Sequence, residues 1–444
     1  MSAKLIRLFK TILPAPFTIA VLLTIVTLVL AFFLSPEEYN LIELLSFWES
    51  GLWNNSLLVF AVQMMLMLVL GHVLALSRFI SRIIETVSQF CKNTALAAAL
   101  VTFLTLLVSF FNWGLGLVFG AIFARKVGEY ASKNNLPLNY PLIGAAGYSG
   151  LMVWHGGISG SAPIKIAEKG HFLEDQIGVI SQSETIFSSM NITVSLVILI
   201  VLPTIMYYLG KRSNSKSVNI VSEDKKHHQT EIVDGAERLD HSPILAYCFG
   251  GIILLLCIYK AIILPEKISL SFITPNFINL FLLGLAITLH GSFYNFLAGV
   301  SQAIGGASGI LIQFPLYFGI MGIMNSSGLV GIFSDFFVNI STTTTFPIFT
   351  FFSAGIVNVF VPSGGGQWGV QGPIIIEAAS QLNVPYWKSV MALAYGDQLT
   401  NMLQPFWALP LLGITGLKAK EILPYCLVLM LVGTIIFISG LVIF

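Results

Sequence analysis

Apolar runs set out the architecture of this chain. A helix crossing a bilayer needs about 20 mostly apolar residues, and residues 15–34, 56–77, 176–209, 243–264, 276–296, 304–325 and 422–443 each supply such a run. Two further regions, 94–164 and 344–412, are as apolar but interrupted by Gly, Pro, Asn and Ser. A short amphipathic stretch precedes each of them, at 79–92 and 328–341. Residues 211–242 instead mix Lys, Arg, Asp, Glu, His and Ser with few large apolar residues, and predict a cytoplasmic linker dividing the chain nearly in half. The pattern predicts an all-α polytopic membrane protein embedded in a lipid bilayer.

Composition narrows this further. Hydrophobic residues make up 56% of the 444 and charged residues only 10%, against about 25% charged in soluble domains, which excludes a water-soluble fold. A net charge of +1 offers no basic surface for nucleic acid. Cys91, Cys248, Cys257 and Cys426 are widely spaced and read as small hydrophobes, not as a disulfide or metal framework. His227, His228 and His241 are irregularly spaced in the polar linker and read as solvated, so no metal or cofactor is expected. The run from Phe17 to Leu34 behind Lys4, Arg7 and Lys10 is long and lacks an Ala-x-Ala site, which predicts an uncleaved first span.

Lys and Arg set the orientation. With the N-terminus in the cytoplasm, the loop carrying Glu37, Glu38, Glu43 and Glu49 lies outside, and Arg78, Arg82 and Lys92 lie inside. Residues 94–124 must then leave and return, because Arg125, Lys126 and Lys133 follow them. This predicts a re-entrant hairpin with its tip at Asn112-Trp113-Gly114, followed by a broken crossing helix at 138–164. The second half follows the same scheme upside down: an outer hairpin at 344–380 with its tip at Pro362-Ser363-Gly364-Gly365-Gly366, then a broken helix at 388–412. The C-terminus then lies outside. On this scheme 17 of the 22 Lys and Arg residues are inside, and Lys165, Lys169, Lys260, Lys267 and Lys388 are outside. The chain divides into a first helix with its outer loop (1–50), one repeat (51–210), the linker (211–242), a connecting helix (243–275) and a second repeat (276–444).

The interrupted regions share a spacing. Asn112, Tyr148 and Pro163 stand 36 and 15 residues apart, and Asn358, Tyr395 and Pro410 stand 37 and 15 apart. Two inverted-topology repeats, each with a re-entrant hairpin and a broken transmembrane helix, are the signature of secondary transporters, whose sites form where the helices fail. Close helix packing explains a Gly144 or a Gly284 but not the run Ser363-Gly364-Gly365-Gly366.

Polar residues in a membrane interior are costly and point to function. One half supplies Asn112, Trp113 and Gly114 at its tip, then Ser149, Trp154, His155, Gly156, Gly157, Ser159 and Ser161 in its broken segment. The other supplies Asn358, Ser363, Gly364, Gly365, Gly366 and Gln367, with Trp368 beside them, and then Asp397, Gln398, Asn401 and Gln404. Asp397, Asn401 and Gln404 are spaced to share one helical face. His155 and Asp397 are the titratable groups of the two broken segments and candidates for a proton relay. The alternative is a histidine satisfied by a carbonyl and an aspartate capping a helix. His72, His290, Glu184, Asp335 and Glu377 fall near span ends and read as structural. Neither tip carries Lys or Arg, which disfavours dicarboxylate or phosphate and leans toward a small monoanion held by helix N-termini and Asn, Ser or Gln. Trp113, Trp154, Trp368, Phe406 and Trp407 suit a short apolar tail, or ordinary packing.

The motifs FNWGLGLVFGAIFAR (111–125), VPSGGGQWGVQGP (361–373) and AYGDQLTNMLQPFWALP (394–410) closely resemble the bacterial short-chain fatty acid transporter (AtoE) family, essentially from end to end. The resemblance implies uptake of short-chain monocarboxylates such as acetoacetate and butyrate across the bacterial inner membrane. It also implies membership of the ion-transporter superfamily, with opposed hairpins, an elevator-like movement and a homodimer. The expected site then lies around Asn112-Trp113-Gly114 and Pro362 to Gly366. Neither tip carries the Ser-Asn-Thr of the sodium-dependent dicarboxylate carriers, so the coupling ion, H+ or Na+, stays open. Carriage of other small organic anions and a channel are the alternatives. An enzyme is disfavoured because His155 and Asp397 lack a nucleophile or metal-ligand partner at a recognisable spacing. No nucleotide-binding loop supports a primary pump.

Overall fold

The computed structural model describes residues 16–215, 220, 234–264, 270, 272–361 and 363–444. Lys4, Arg7, Lys10, most of the linker including His227 and His228, Lys267, Pro362 and the side chain of Phe406 lie outside the described residues. The first half contains α1 (Pro16–Leu34), α2 (Leu41–Leu52), α3 (Asn55–Ala75), α4 (Arg78–Ser88), α5 (Thr94–Phe111), α6 (Trp113–Lys133), α7 (Tyr140–Tyr148), α8 (Ser161–Lys165) and α9 (Ser189–Arg212). A connecting helix α10 (Pro243–Ile258) follows. The second half contains α11 (Pro275–His290), α12 (Phe293–Ala303), α13 (Ser308–Ser326), α14 (Leu329–Ile340), α15 (Phe346–Phe360), α16 (Gly364–Gln381), α17 (Tyr386–Thr400), α18 (Pro405–Thr415) and α19 (Ala419–Ile443). The protein is all-α and crosses the membrane repeatedly. Among the described residues, seven helical stretches are long and apolar enough to span: Phe17–Leu34, Asn55–Ala75, Thr94–Phe111, Ser189–Arg212, Pro243–Ile263, Phe293–Ser326 and Ala419–Ile443.

Local chemistry writes the boundaries. Asn54, Ser77, Asn93, Asn112, Asn139, Ser188, Thr274, Ser292 and Ser363 each precede a helix, and each side-chain oxygen accepts from an early N–H of that helix. Two expected spans are corrected by such signals. The run 176–209 is helical as a span only from Ser189, because residues 178–188 form loop and turns ahead of the Ser188 cap. The run 276–296 stops at His290, where Gly291 adopts a left-handed φ of 70° and Ser292 starts the next helix.

Both halves pass through a similar order of helices ahead of an amphipathic helix, a hairpin, a broken helix and a span, although α11 is shorter than a full span and α12 runs on into α13 as one apolar stretch. The helices also sort into two packed groups. In one, α3 packs on α11, α12 and α13, α13 packs on α1 and α2, and α10 packs on α11. In the other, the hairpins α5/α6 and α15/α16 and the broken helices pack together with α9 and α19. The groups meet chiefly where α6 lies on α3 and α16 lies on α13.

Within the second group the backbones come unusually close. A Cβ on Gly120 of α6 would overlap the carbonyl of Gly147 in α7. Gly120→Val should therefore lower the melting temperature of the purified protein, since overpacking costs about 1–3 kcal/mol. Gly331→Ala, with nothing within 4 Å of the added methyl, should not lower it. Equal melting curves for Gly120→Val and the parent would show that α6 and α7 part freely.

Candidate functional site

The first hairpin turns at Asn112. Its Oδ1 accepts from Leu115 N–H at 2.7 Å and starts α6, and its side chain is buried. The broken segment between α7 and α8 is pinned to this tip: Ile158 N–H donates to Phe110 O at 2.7 Å, and Trp113 N–H donates to Ser159 Oγ at 2.9 Å. Ser363 plays the capping role in the second hairpin, accepting from Gly366 N–H at 3.3 Å. One turn back along α15, Asn358 Nδ2 donates to Asp397 O, Thr400 Oγ1 and Asn401 Oδ1 at 2.7–2.8 Å. Its own carbonyl accepts from Gln404 Nε2 at 2.5 Å. The gap between α17 and α18 is thus filled by one asparagine of the neighbouring hairpin.

The two broken helices also complete each other. Tyr148, at the end of α7, donates its OH to Asn401 O at 2.9 Å and Gln404 O at 3.1 Å, carbonyls exposed where α17 stops. Tyr395 of α17 donates to Asn191 Oδ1 at 2.8 Å, and Asn191 Nδ2 donates to Gly156 O, inside the first break, at 2.8 Å. Gln398 Oε1 accepts from His155 N–H at 2.9 Å and Gly156 N–H at 3.1 Å. Backbone groups that lipid cannot satisfy are satisfied from one break to the other.

The same crossing brings the two titratable groups together. His155 Nδ1 contacts Asp397 Oδ2, with side chains 6% and 0% exposed. Gly364 sits against both: a Cβ there would run into His155 Cε1 and Nδ1 and Asp397 Oδ2. The glycine at the tip of the second hairpin therefore lets its backbone lie directly on the pair.

Aromatic rings wall the other side. Trp113, Trp154 and Trp407 meet edge to face, with centroids 5.6, 5.9 and 4.8 Å apart pairwise, and His155 stacks on Trp154 at 4.9 Å. Asn112 Nδ2, Trp113 Nε1 and Trp154 Nε1 are buried and find no hydrogen-bond partner among the described residues. On the second half the atoms so placed include acceptors: Asp397 Oδ1, Asn358 Oδ1, Gln367 Oε1 and Gln404 Oε1. Backbone partners fix how these amides point, since Asn112 Oδ1 accepts from an N–H while Asn358, Gln367 and Gln404 donate to carbonyls. Around the pair the first half thus offers donors suited to an anion, and the second half offers acceptors suited to a cation or proton together with the donor Asn401 Nδ2.

Several expected residues are placed differently. Ser149 Oγ donates to Ala146 O at 2.7 Å, a bond local to its own helix end. Asp397, Asn401 and Gln404 do not share one helical face, because a 3-10 turn at Asn401–Leu403 ends α17; they converge through Asn358 instead. Asn358 is not the counterpart of Asn112 as a cap, since Ser363 holds that position. Gln367 bonds Ala354 O and Gln371 within its hairpin, and Trp368 stands apart against Phe172. His290 bonds Val73 O at 2.9 Å. Tyr148 and Tyr395 were legible only as repeat markers. Asn191 was missed altogether, although it is an isolated amide in a long apolar run. Lys165, assigned to an outer loop, is buried at 2% exposure.

The family model described as Short chain fatty acid transporter matches residues 1–444. A relative from Escherichia coli K12 named for short-chain fatty acid transport is 38% identical over 442 residues, covering 97% of this chain and 96% of its own. A relative from Haemophilus influenzae Rd with the same name is 38% identical over 444 residues, with the same coverage. Among solved structures the chain is similar to Neisseria gonorrhoeae MtrF, of a class called antimetabolite efflux pumps, at 15% identity and TM-score 0.60 over 96% of this chain and 95% of that one. It is also similar to the Alcanivorax borkumensis YdaH transporter, at 13% identity and TM-score 0.63 over 96% and 98%. At these identities the structural likeness is one of fold.

If the breaks are held by tyrosines, Tyr148→Phe should destabilise the purified protein by about 1–3 kcal/mol, because Asn401 O and Gln404 O lose their donor in a buried place. Tyr208→Phe, on the exposed face of α9, should not. Indistinguishable melting curves for Tyr148→Phe and the parent would contradict the crossed bonding.

Proposed function

This chain belongs to the short chain fatty acid transporter family, and we propose from that premise that it is an ion-coupled secondary carrier of short-chain monocarboxylates such as acetoacetate and butyrate. The protein is a membrane transporter rather than an enzyme. The observation that carries the finer reading is the buried contact of His155 with Asp397 beneath Gly364. Beside it lie the donors of Asn112, Trp113 and Trp154 and a wall of three indole rings.

In this reading the substrate carboxylate takes the Asn112, Trp113 and Trp154 donors, and its short tail lies against the indoles. The coupling proton joins the His155–Asp397 pair. A monoanion and a proton together add no net charge, so the site enters hydrocarbon surroundings no more charged when loaded than when empty. The acceptors Asn358 Oδ1 and Gln404 Oε1, joined to the Asp397 backbone through Asn358, support sodium as the second reading.

The two packed groups support an elevator-like movement. The hairpins and broken helices travel as one body against α3 and α13, on faces where Gly365, Gly366 and Gly369 lie against the rings of Phe314, Tyr317 and Phe318. The shared order of elements supports an inverted repeat relating the halves. The distribution of Lys and Arg supports a cytoplasmic N-terminus and a periplasmic C-terminus in the bacterial inner membrane.

Purified protein in liposomes should accumulate labelled butyrate when the outside is acidified, and less so under a sodium gradient alone. Asp397→Asn and His155→Gln should lose the acid-driven accumulation. Unchanged pH dependence in both variants would remove the proton pair, and accumulation driven only by sodium would favour the second reading. Excess unlabelled succinate should compete poorly, because neither tip presents a fixed cation for a second carboxylate; equal competition would contradict monoanion selectivity.

A further inference from the structure

Lys165 ends α8, a short helix of the body that carries the site, and its ammonium is used by nothing described so far. Its Nζ donates to Glu168 Oε2 at 2.7 Å and to Gln63 Oε1 at 3.3 Å. Gln63 Nε2 donates to Glu168 Oε1 at 2.8 Å and to Asn276 Oδ1 at 3.0 Å, and Asn276 Nδ2 donates to Glu168 Oε1 at 3.1 Å. Gln63 belongs to α3 and Asn276 to α11, so both amides are on the opposite body. The ammonium also lies 5.5 Å from the centre of the Phe60 ring, and Phe60 Cζ would stand 3.1 Å from a Cβ on Gly365, at the tip of the second hairpin.

We propose that this cluster is a latch between the two bodies, closed in this conformation and opened in each transport cycle; the proposal rests on the moving-body reading above. The division of partners favours a latch over a rivet. Lys165 and Glu168 are three residues apart on one segment, so the charge pair travels intact and the buried ammonium keeps its counter-ion. What is exchanged when the bodies part is the set of charge-assisted bonds to the neutral amides of Gln63 and Asn276 and the contact with Phe60, while the two charges stay paired with each other. Through Phe60 the latch also abuts the hairpin tip that covers the His155–Asp397 pair, so release and exposure of the site fall on one movement.

The test uses full-length protein in liposomes with Cys91, Cys248, Cys257 and Cys426 replaced. Gln63→Cys with Glu168→Cys should be bridged by a short bis-methanethiosulfonate reagent, which spans the gap left by the two long side chains, and should then lose labelled butyrate uptake and regain it on reduction. Should loss of Glu168 prevent folding, the same pair in a Lys165→Met background leaves no unpaired charge. Uptake by the crosslinked protein at the reduced rate would overturn the latch, as would failure of the folded pair to crosslink. A second pair, Phe318→Cys with Gly369→Cys, reports movement at the α13–α16 face. If it blocks uptake while the first pair does not, the latch fails and the moving body stands. If neither crosslink blocks uptake, the moving-body reading itself falls and the latch with it.

Discussion

A helix that stops inside a bilayer exposes N–H and carbonyl groups that lipid cannot satisfy, each at a cost of several kcal/mol. This chain stops helices at two such places and lets each supply what the other lacks. Tyr148 reaches the carbonyls of the second break, while Tyr395 acts through Asn191 on the first, and Gln398 takes the free N–H groups of His155 and Gly156. Each break thus depends on the other for partners to its released backbone groups. The contact of His155 with Asp397 follows from that mutual dependence, since each residue lies beside the groups being satisfied.

The coarse fold was legible because it rests on length and composition. Runs of about 20 apolar residues mark spans wherever they occur, and the polar caps at Asn54, Asn93, Asn112 and Ser188 mark where helices begin. The hairpin tips were legible for a related reason: Ser363-Gly364-Gly365-Gly366 cannot be ordinary helix interior. What stayed hidden was pairing between distant segments. Nothing local to Tyr148 says that its hydroxyl serves residues 253 and 256 positions away. The helical periodicity that placed Asp397, Asn401 and Gln404 on one face was overruled by the 3-10 turn at Asn401, which in turn exists because Asn358 and Tyr148 take up the released groups.

Charge has a similar history. Lys and Arg predict an orientation for the chain, but that same rule assigned Lys165 to an outer loop. A lysine beside an apolar turn can be buried when an acid three residues on and amides from two other helices complete its bonds. The free donor of Asn112 and the free acceptors of Asn358, Gln367 and Gln404 likewise arise only from folding, because these amides are alike in sequence and are sorted by which backbone group each one meets. A carboxylate and a proton sharing one enclosed site fit this polarity.

The central claim is that substrate and proton meet at the His155–Asp397 pair, and proton linkage of binding measures it most directly. Calorimetric titration of the purified transporter with butyrate, repeated in buffers of different ionisation enthalpy, reports the protons taken up per substrate bound. The account predicts a buffer-dependent heat corresponding to net proton uptake, abolished in Asp397→Asn. A heat of binding independent of the buffer in the unmodified protein would contradict it.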